Sequence, residues 1–256
     1  MSERGQDAGM KGLVDGRVSV VIPCKNEAAN MAGLLDEIAA SFAGLDTEII
    51  VVDDGSTDDL AAALRTARER TGMTIRHLRH ARSTGKSLAL RTGVFAATGA
   101  IVVTIDGDGQ NNPDYARELH DALAASGPEV GIAIGQRLKR EDGQAKIWAS
   151  RFANGLRRRM LGDDTRDTAC GLKAVRTDIF RRLPFFEGSH RFLPALVRIE
   201  GYGLIHRDVI DRERVHGSSH YGILDRGLHG ALDLIGMWWY RRRRRIRPDV
   251  TEPPVD

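Results

Sequence analysis

Short apolar runs alternate with stretches of helical spacing along the first 135 residues of the chain. The runs are about five residues long and mostly rich in Val and Ile, which is typical of buried strands. They cover 18–22, 48–52, 74–78, 101–105 and 130–134. Between them, apolar residues recur three or four positions apart, which predicts helices over about 28–42, 58–70, 86–98 and 113–125. This alternation predicts an α/β fold with a mostly parallel central sheet flanked by helices.

The pattern changes after about residue 146. A basic amphipathic helix is predicted over 147–161, followed by short helices near 177–183 and 191–200 and a strand near 203–210. Near the end of the chain, one stripe of a further helix is apolar: Leu224, Leu228, Ala231, Leu232, Ile235 and Trp239. We therefore predict four segments. They are a disordered leader over 1–16, an α/β domain over 17–220, an amphipathic helix with an arginine-rich end over 221–247, and a disordered tail over 248–256.

Composition excludes several classes of protein. A net charge of +3 over 256 residues is too small for a nucleic-acid binder that relies on bulk charge. Cys24 and Cys170 have neither the spacing of a metal site nor that of a disulfide framework. The first twelve residues are polar, unlike a signal peptide, and no apolar run approaches the roughly 20 residues of a membrane span. We therefore expect a cytoplasmic protein with no nucleic-acid partner.

Polar residues cluster where three of the predicted strands end. The clusters are Pro23, Asn26 and Glu27; Asp53, Asp54, Ser56 and Asp58; and Asp106, Asp108 and Gln110. Because parallel strands end at the same edge of a sheet, these clusters are expected to converge there, where open α/β sheets bind ligands. Asp and Ser also cap helices, and a cap alone accounts for Asp58. Capping needs only one side chain per helix, so it does not explain three clusters of several polar residues each.

The third cluster has the clearest chemistry. Only Gly107 separates Asp106 from Asp108, and Gly109 follows them. Two carboxylates so close repel each other unless a positive charge lies between them, and a divalent cation with oxygen ligands fits that place. The alternative is a solvated turn, since Asp and Gly are common turn residues.

The motifs, taken in order, resemble the family 2 glycosyltransferases, which have a Rossmann-like fold called GT-A. Within that family they resemble the dolichol-phosphate mannose synthase-like enzymes, which load a sugar onto a polyprenyl phosphate. The motifs are Val18–Pro23 with Asn26 and Glu27, Ile49–Ser56, Asp106–Pro113, Asp167–Lys173 and Arg214–Tyr221. The resemblance covers about 17–240 and implies a GT-A domain over 17–220.

The resemblance implies a donor site for a nucleotide sugar. The residues implied to contact the donor are Pro23, Asn26, Glu27, Asp53, Asp54, Ser56, Lys86, Asp106 and Gly107. Mg²⁺ or Mn²⁺ is implied on Asp106, Asp108 and Gln110. The alternative for Lys86 is a solvated lysine in the first turn of a helix.

The resemblance also implies an acceptor site. Arg137, Arg214, Ser219 and His220 are expected to bind the acceptor phosphate, with Arg140 a weaker candidate. The catalytic residues implied are Asp106, Asp108, Asp167 and Arg214. His220 replaces a lysine usual in the family, and Asp211 and Glu213 stand where His and Pro are usual. An acceptor phosphate is already anionic, so a general base is needed only for a hydroxyl acceptor, and Asp167 is then the candidate.

We predict metal-dependent, inverting transfer of a hexose-type sugar, mannose- or glucose-like, from a nucleotide sugar to a polyprenyl phosphate. Trp238, Trp239 and Tyr240 beside Arg241–Arg245 predict a helix at a lipid surface, and hence a peripheral protein on the cytoplasmic face of the membrane. The helix could instead dock on the domain or contact another subunit, so a homo-oligomer stays open. Two other functions stay open: a transferase with a soluble sugar or protein acceptor, and a non-catalytic nucleotide-sugar-binding scaffold.

Overall fold

A computed structural model describes residues 13–138, 155, 157–212 and 223–244 of the chain. Several of the predicted features lie outside these residues. They are most of the leader and all of the tail, most of the helix over 147–161, and the acceptor-site residues Arg140, Arg214, Ser219 and His220. The division into segments and the roles of these residues stay predictions.

The described residues form a mostly parallel sheet. Its strands are β1 (Val14–Cys24), β2 (Asp46–Asp53), β3 (Thr74–Arg79), β4 (Gly99–Thr104), β5 (Val130–Arg137), β6 (Lys173–Arg176) and β7 (Gly203–Val209). In the described part of the chain these seven strands lie in the order β3-β2-β1-β4-β6-β5-β7. Of these strands, only β6 is antiparallel to its neighbours, β4 and β5. The predicted α/β class and parallel sheet are confirmed, and the sequence pattern missed β6.

Helices connect most of the strands. They are α1 (Ala28–Ser41), α2 (Leu60–Thr71), α3 (Lys86–Ala96), α4 (Pro113–Ala124), α5 (Thr177–Arg182), α6 (Leu193–Ile199) and α7 (Ile223–Arg243). The expectation that Asp58 caps the helix after it is wrong, because Asp59 accepts the Ala62 N–H at 3.1 Å there. Asp58 instead accepts the N–H of Ala28, the first residue of α1, at 2.8 Å. Its carboxylate therefore joins the loop after β2 to the start of α1.

Both faces of the sheet are buried, which explains why the central strands read as unbroken apolar runs. Val20 and Ile22 face the core under α1, α2 and α4, whereas Val21 faces the core under α3. The second face continues over β5 and β6 beneath α5 and α6. Helix α7 packs on this domain through Leu234 and Met237. None of the described helices is both long and apolar enough to cross a membrane.

A buried carboxylate holds the strands together at the edge opposite their carboxyl ends. Glu48 accepts hydrogen bonds from Ser19 Oγ and from the N–H and hydroxyl of Thr98, each at 2.6 Å, and from Arg76 at 2.9 Å. Burial raises the pKa of Glu48, but these hydrogen bonds outweigh it, so that its pKa is below the usual range. Both carboxylate oxygens are hydrogen-bonded within the protein, so this acid is structural and leaves the other edge to carry the chemistry.

Candidate functional site

The loops after β1 and β2 are joined at the carboxyl edge of the sheet. Asn26, with a φ of +57°, donates its backbone N–H to Ser56 Oγ at 3.0 Å. Its side-chain oxygen accepts the Thr57 N–H at 2.8 Å. The Asp54 N–H donates to the Cys24 carbonyl at 2.9 Å. The first two predicted clusters therefore lie together, and the Asn26 and Ser56 side chains hold the two loops in contact.

Asp53 lies below the surface of this edge. Its side chain is fully buried, and Oδ1 accepts the Ser56 N–H at 2.7 Å. Burial raises the pKa of Asp53, but its hydrogen bonds to Ser56 and His77 and the nearby Arg79 outweigh burial and lower it. The carboxylate is therefore ionised and shapes the turn after β2, while its contact with a nucleoside stays a prediction.

Asp54 organises the loop that leads into α3. Its two oxygens accept five hydrogen bonds: from His80 Nδ1 (2.8 Å), Ser83 Oγ (2.7 Å), Thr84 N (2.8 Å), Thr84 Oγ1 (2.9 Å) and Gly85 N (2.9 Å). Next to it, Gly55 has a φ of +74°, and a Cβ there would lie 2.8 Å from the Ser83 nitrogen. Both residues hold the 80–85 loop tightly against the end of β2. The contacts indicate that Asp54 positions this loop, and its predicted contact with a nucleotide is untested.

The loop delivers Lys86 to the acidic pair after β4. Lys86 Nζ lies 2.5 Å from Asp106 Oδ1, and the Asp106 N–H donates to Asn111 Oδ1 at 3.1 Å. Burial raises the pKa of Asp106, but the charge and hydrogen bond of Lys86, together with the nearby Lys173 and His190, outweigh burial and lower it. Asp106 is therefore ionised and already faces one positive charge. Lys86 is held at the site by this ion pair, unlike a freely solvated lysine.

Gly171 permits the close packing around Asp106. A Cβ built on Gly171 would lie 2.5 Å from the Asp106 carboxyl carbon, a distance that side chains do not tolerate. Gly107, between the two acids, likewise lies against Cys24, where its Cβ would approach the Cys24 Cβ to 2.9 Å. Both glycines are therefore required by close approach at the site.

A third carboxylate lies beside the acidic pair. Asp211 accepts a hydrogen bond from Asn111 Nδ2 at 3.1 Å and from Arg137 Nη1 at 3.2 Å. Burial raises the pKa of Asp211, Arg137 lowers it and the charge of Asp106 raises it further, with a net increase. In the sequence, Asp211 stands out only as a departure from the family pattern, so it was missed as a site residue.

These side chains fit a hard divalent cation by chemistry, since Asp106, Asp108 and Asp211 offer carboxylate oxygens. Gln110 is held beside them, its N–H donating to Asp108 Oδ1 at 3.2 Å and its Nε2 to the Arg212 carbonyl at 3.4 Å. Among the described residues no three His, Cys, Asp or Glu side chains are grouped as a complete metal site. A cation here would therefore take further ligands from bound phosphate oxygens and water.

Arg137 and Asp167 form a bidentate ion pair at the far side of the acids. Arg137 donates through Nε and Nη2 to the two oxygens of Asp167, the second bond measuring 2.9 Å. Burial lowers the pKa of Arg137, but Asp167 and Asp211 outweigh burial and raise it. The structure thus brings Arg137 close to the acidic pair. It also ties Asp167 to a guanidinium, which weakens that carboxylate as a base.

Two basic residues near Asp106 were missed, the buried Lys173 and the half-buried His190. Lys173, at the start of β6, donates to the Cys170 carbonyl, and His190 Nδ1 lies 2.7 Å from Ser87 Oγ. Lys173 ends the Asp167–Lys173 motif, so the sequence held a signal for it. His190 meets Ser87 across 103 positions of chain, and no local pattern marks such a contact.

Comparison with known proteins gives one family. The family described as "Glycosyl transferase family 2" matches residues 19–184. Dodecaprenyl-phosphate galacturonate synthase of Rhizobium johnstonii is 30% identical over 233 residues, which are 88% of this chain and 67% of that protein. Undecaprenyl-phosphate 4-deoxy-4-formamido-L-arabinose transferase of Edwardsiella ictaluri is 34% identical over 209 residues, which are 81% of this chain and 63% of that protein. The chain therefore spans about two thirds of the length of these relatives.

Solved structures with the same fold include glucosyl-3-phosphoglycerate synthase from Mycobacterium tuberculosis. Its complex with Mn²⁺, uridine diphosphate and glucosyl-3-phosphoglycerate aligns with a TM-score of 0.60 at 21% identity, covering 88% of this chain and 79% of that one. A complex of the same enzyme with Mg²⁺ and uridine diphosphate aligns equally well. At this identity the likeness establishes the fold alone. The chain belongs to glycosyl transferase family 2 and has the GT-A fold.

Proposed function

We propose that this chain transfers a sugar from a nucleotide sugar to a polyprenyl phosphate. The observation that carries the proposal is the convergence, at one sheet edge, of Asp106 and Asp108 with Lys86 and with the loops after β1 and β2. Family membership supports glycosyl transfer. The two relatives above are named for transfer to dodecaprenyl and undecaprenyl phosphate, which supports a lipid acceptor.

The donor end of the site follows from the placement of charge. The loops after β1 and β2, joined through Asn26 and Ser56, lie beside the acids and offer a place for a nucleoside. Mg²⁺ or Mn²⁺ would be held by Asp106 and Asp108, with Gln110 and Asp211 close by, and it would neutralise the charge that develops on the departing nucleoside diphosphate. Lys86 adds a second positive charge at the same place.

The acceptor end is basic. Arg137 lies beside the acids, and Arg214, Ser219 and His220 are the further candidates from the sequence. An anionic phosphate oxygen can attack the anomeric carbon directly, so the protein contributes position and charge rather than a covalent nucleophile. A single displacement of this kind inverts the anomeric centre.

The relatives do not support the expected mannose- or glucose-like sugar. The relatives are named for galacturonate and for a formamido-arabinose, and neither name supports mannose or glucose. We therefore do not retain the mannose synthase-like activity, although the polyprenyl-phosphate acceptor is kept.

Incubation of the purified chain with radiolabelled nucleotide sugars and undecaprenyl phosphate tests the proposal. We expect label in the organic phase with Mg²⁺ or Mn²⁺, its loss with a chelator, and its return when the cation is restored. Transfer to water-soluble sugars or proteins but not to the lipid phosphate would support the soluble-acceptor alternative. Donor binding without turnover on any acceptor would support a scaffold.

We also propose that α7 binds a lipid surface. Its outer face exposes Leu232, Ile235 and Trp239, each 57–58% accessible, whereas Leu234 and Met237 pack on the domain from the other face. Near its end Arg242 lies 4.2 Å from the centre of the Trp238 ring. An apolar stripe with interfacial Trp and adjacent Arg favours the headgroup region of a bilayer. Attachment to the cytoplasmic face in particular rests on the sequence alone.

Changing Leu232, Ile235 and Trp239 together to Ser is expected to lower binding to anionic vesicles at least tenfold, because the apolar contact area is lost. Vesicle co-sedimentation measures this. The matched control changes Leu13, Val14 and Phe95, which are also exposed but lie outside α7. Equal losses in both triple variants, or a loss of self-association with vesicle binding intact, would contradict a lipid-binding face.

A further inference from the structure

A basic pocket lies beside Asp106, on its inner side. Lys86, Asp106, Gly171, Lys173 and His190 are among the residues that line it. Side-chain exposure is 35% for Lys86 and 26% for Asp106, but Lys173 as a residue is only 4% exposed. The pocket therefore runs from the accessible ion pair at the acidic edge to a buried lysine. Because Asp106 is one of its walls, a sugar on a diphosphate held at Asp106 would lie next to this pocket.

The Lys173 ammonium lies at the inner end of the pocket and makes fewer hydrogen bonds than it can donate. An ammonium has three N–H donors. Among the described residues the only acceptor of a hydrogen bond from Lys173 is the Cys170 carbonyl. Burial lowers the pKa of Lys173 and the charge of Lys86 lowers it further, and together they outweigh the opposing effect of Cys170, Asp106 and Asp167. Bringing an anionic group to the remaining donors would stabilise this lysine in its charged form.

His190 adds another donor. Ser87 Oγ accepts the Gly188 N–H at 3.0 Å. Within the described chain, the Ser87 hydroxyl then donates its own hydrogen to His190 Nδ1. Burial, with help from Lys86 and Lys173, lowers the pKa of His190 to about 3, so the ring is neutral at physiological pH. With Nδ1 accepting, the ring proton is on Nε2, which is then a donor. The one acidic group of the pocket, Asp106, is already paired with Lys86.

We propose that this pocket selects donors whose sugar carries a carboxylate, namely nucleoside diphosphate uronic acids, and that Lys173 is the residue that determines the preference. The inference rests on the proposed transferase function and names its substrate class. Lys173 and His190 offer donors only, and a carboxylate is an acceptor-only group with a full negative charge. A neutral hydroxymethyl group satisfies such a pocket less well, because it brings no negative charge to the buried ammonium. The relative named for galacturonate agrees with a uronic acid, and the relative named for a formamido-arabinose does not.

Matched pairs of donors test the inference without any variant. UDP-galacturonate and UDP-galactose differ only at C6, as do UDP-glucuronate and UDP-glucose. With Mg²⁺ present, calorimetry on the full chain is expected to show at least tenfold tighter binding of the uronate in at least one pair. Equal affinities within both pairs overturn the proposal. Tight uronate binding with no transfer to lipid phosphate would support the pocket and count against the acceptor, which separates the two proposals.

Variants of Lys173 test the assignment to that residue. Lys173→Met removes the charge at similar length and is expected to bring the ratio of uronate to neutral affinity close to one, with affinity for UDP alone changed less than twofold. Lys173→Arg keeps the charge and is expected to keep a preference for the uronate. Arg65→Met, on the exposed side of α2, is the control and should leave every affinity unchanged. A full preference retained in Lys173→Met, or a parallel loss of UDP binding, overturns Lys173 as the specificity residue.

Discussion

Replacing Asp106 and Asp108 together by Asn is expected to lower the rate of sugar transfer at least a thousandfold. The change removes the two charged oxygen ligands that face a cation at the end of β4, and neutral amides bind hard cations weakly. It also deprives Lys86 of the carboxylate that lies 2.5 Å from it. A thousandfold loss corresponds to about 4 kcal/mol of transition-state stabilisation, which is within the range of one lost charge-stabilising arrangement. Radiolabelled donor and lipid phosphate give the rate as label in the organic phase.

A control separates this effect from a general loss of charge. Asp36 and Asp178 are exposed and each pairs with an arginine, so the double change Asp36→Asn/Asp178→Asn removes the same net charge elsewhere. We expect that control to transfer sugar at the parental rate. We also expect Mg²⁺ with UDP to raise the melting temperature of the parent and the control, but not that of Asp106→Asn/Asp108→Asn. If the doubly altered site transfers sugar as fast as the parent, cation-assisted departure of the diphosphate is wrong.

Most of the sheet could be predicted because its strands are buried on both faces and therefore stand out as apolar runs. Val18–Ile22 and Ile101–Ile105 were located in this way, and the structure extends or shifts each strand by a few residues. Strand β6, Lys173–Arg176, escaped because it is only four residues long. It exists because β4 and β5 both pair with it, and such long-range pairing leaves no local pattern.

The site could be predicted at the level of strand ends but not of individual contacts. Parallel strands had to bring Asp54 and Asp106 to one edge, whatever the details of the loops. That Asp54 would be surrounded by the loop over 80–85 depends on side-chain packing, as does the meeting of Ser87 with His190. Asp211 reaches Asn111 across 100 positions of chain, which is why a third carboxylate at this edge went unrecognised as part of the site.

Replacing Asp54 by Asn is expected to destabilise the folded chain by about 3 kcal/mol, because hydrogen bonds to a buried charge are among the strongest in proteins. The amide would keep one acceptor oxygen, but its NH₂ group would face donors among Ser83, Thr84 and Gly85. For a domain of this size the loss corresponds to a fall of about 6–12 °C in melting temperature. Loosening the 80–85 loop also frees the backbone that positions Lys86, so KM for the donor should rise severalfold.

The stability difference between the parent and Asp54→Asn should depend on pH if the ionised carboxylate causes it. Burial raises the pKa of Asp54, but hydrogen bonds from His80, Thr84, Ser83 and Gly85 outweigh burial and lower it strongly. A lowered folded-state pKa adds stability above the unfolded-state value of about 3.9 and loses it as the pH falls further. The gap between the melting temperatures of the parent and Asp54→Asn should therefore be widest near neutral pH and narrow below about pH 4. Asp46→Asn, at the exposed start of the same strand, should show no such gap, and a gap that persists unchanged into acid would mean that shape rather than charge holds the loop.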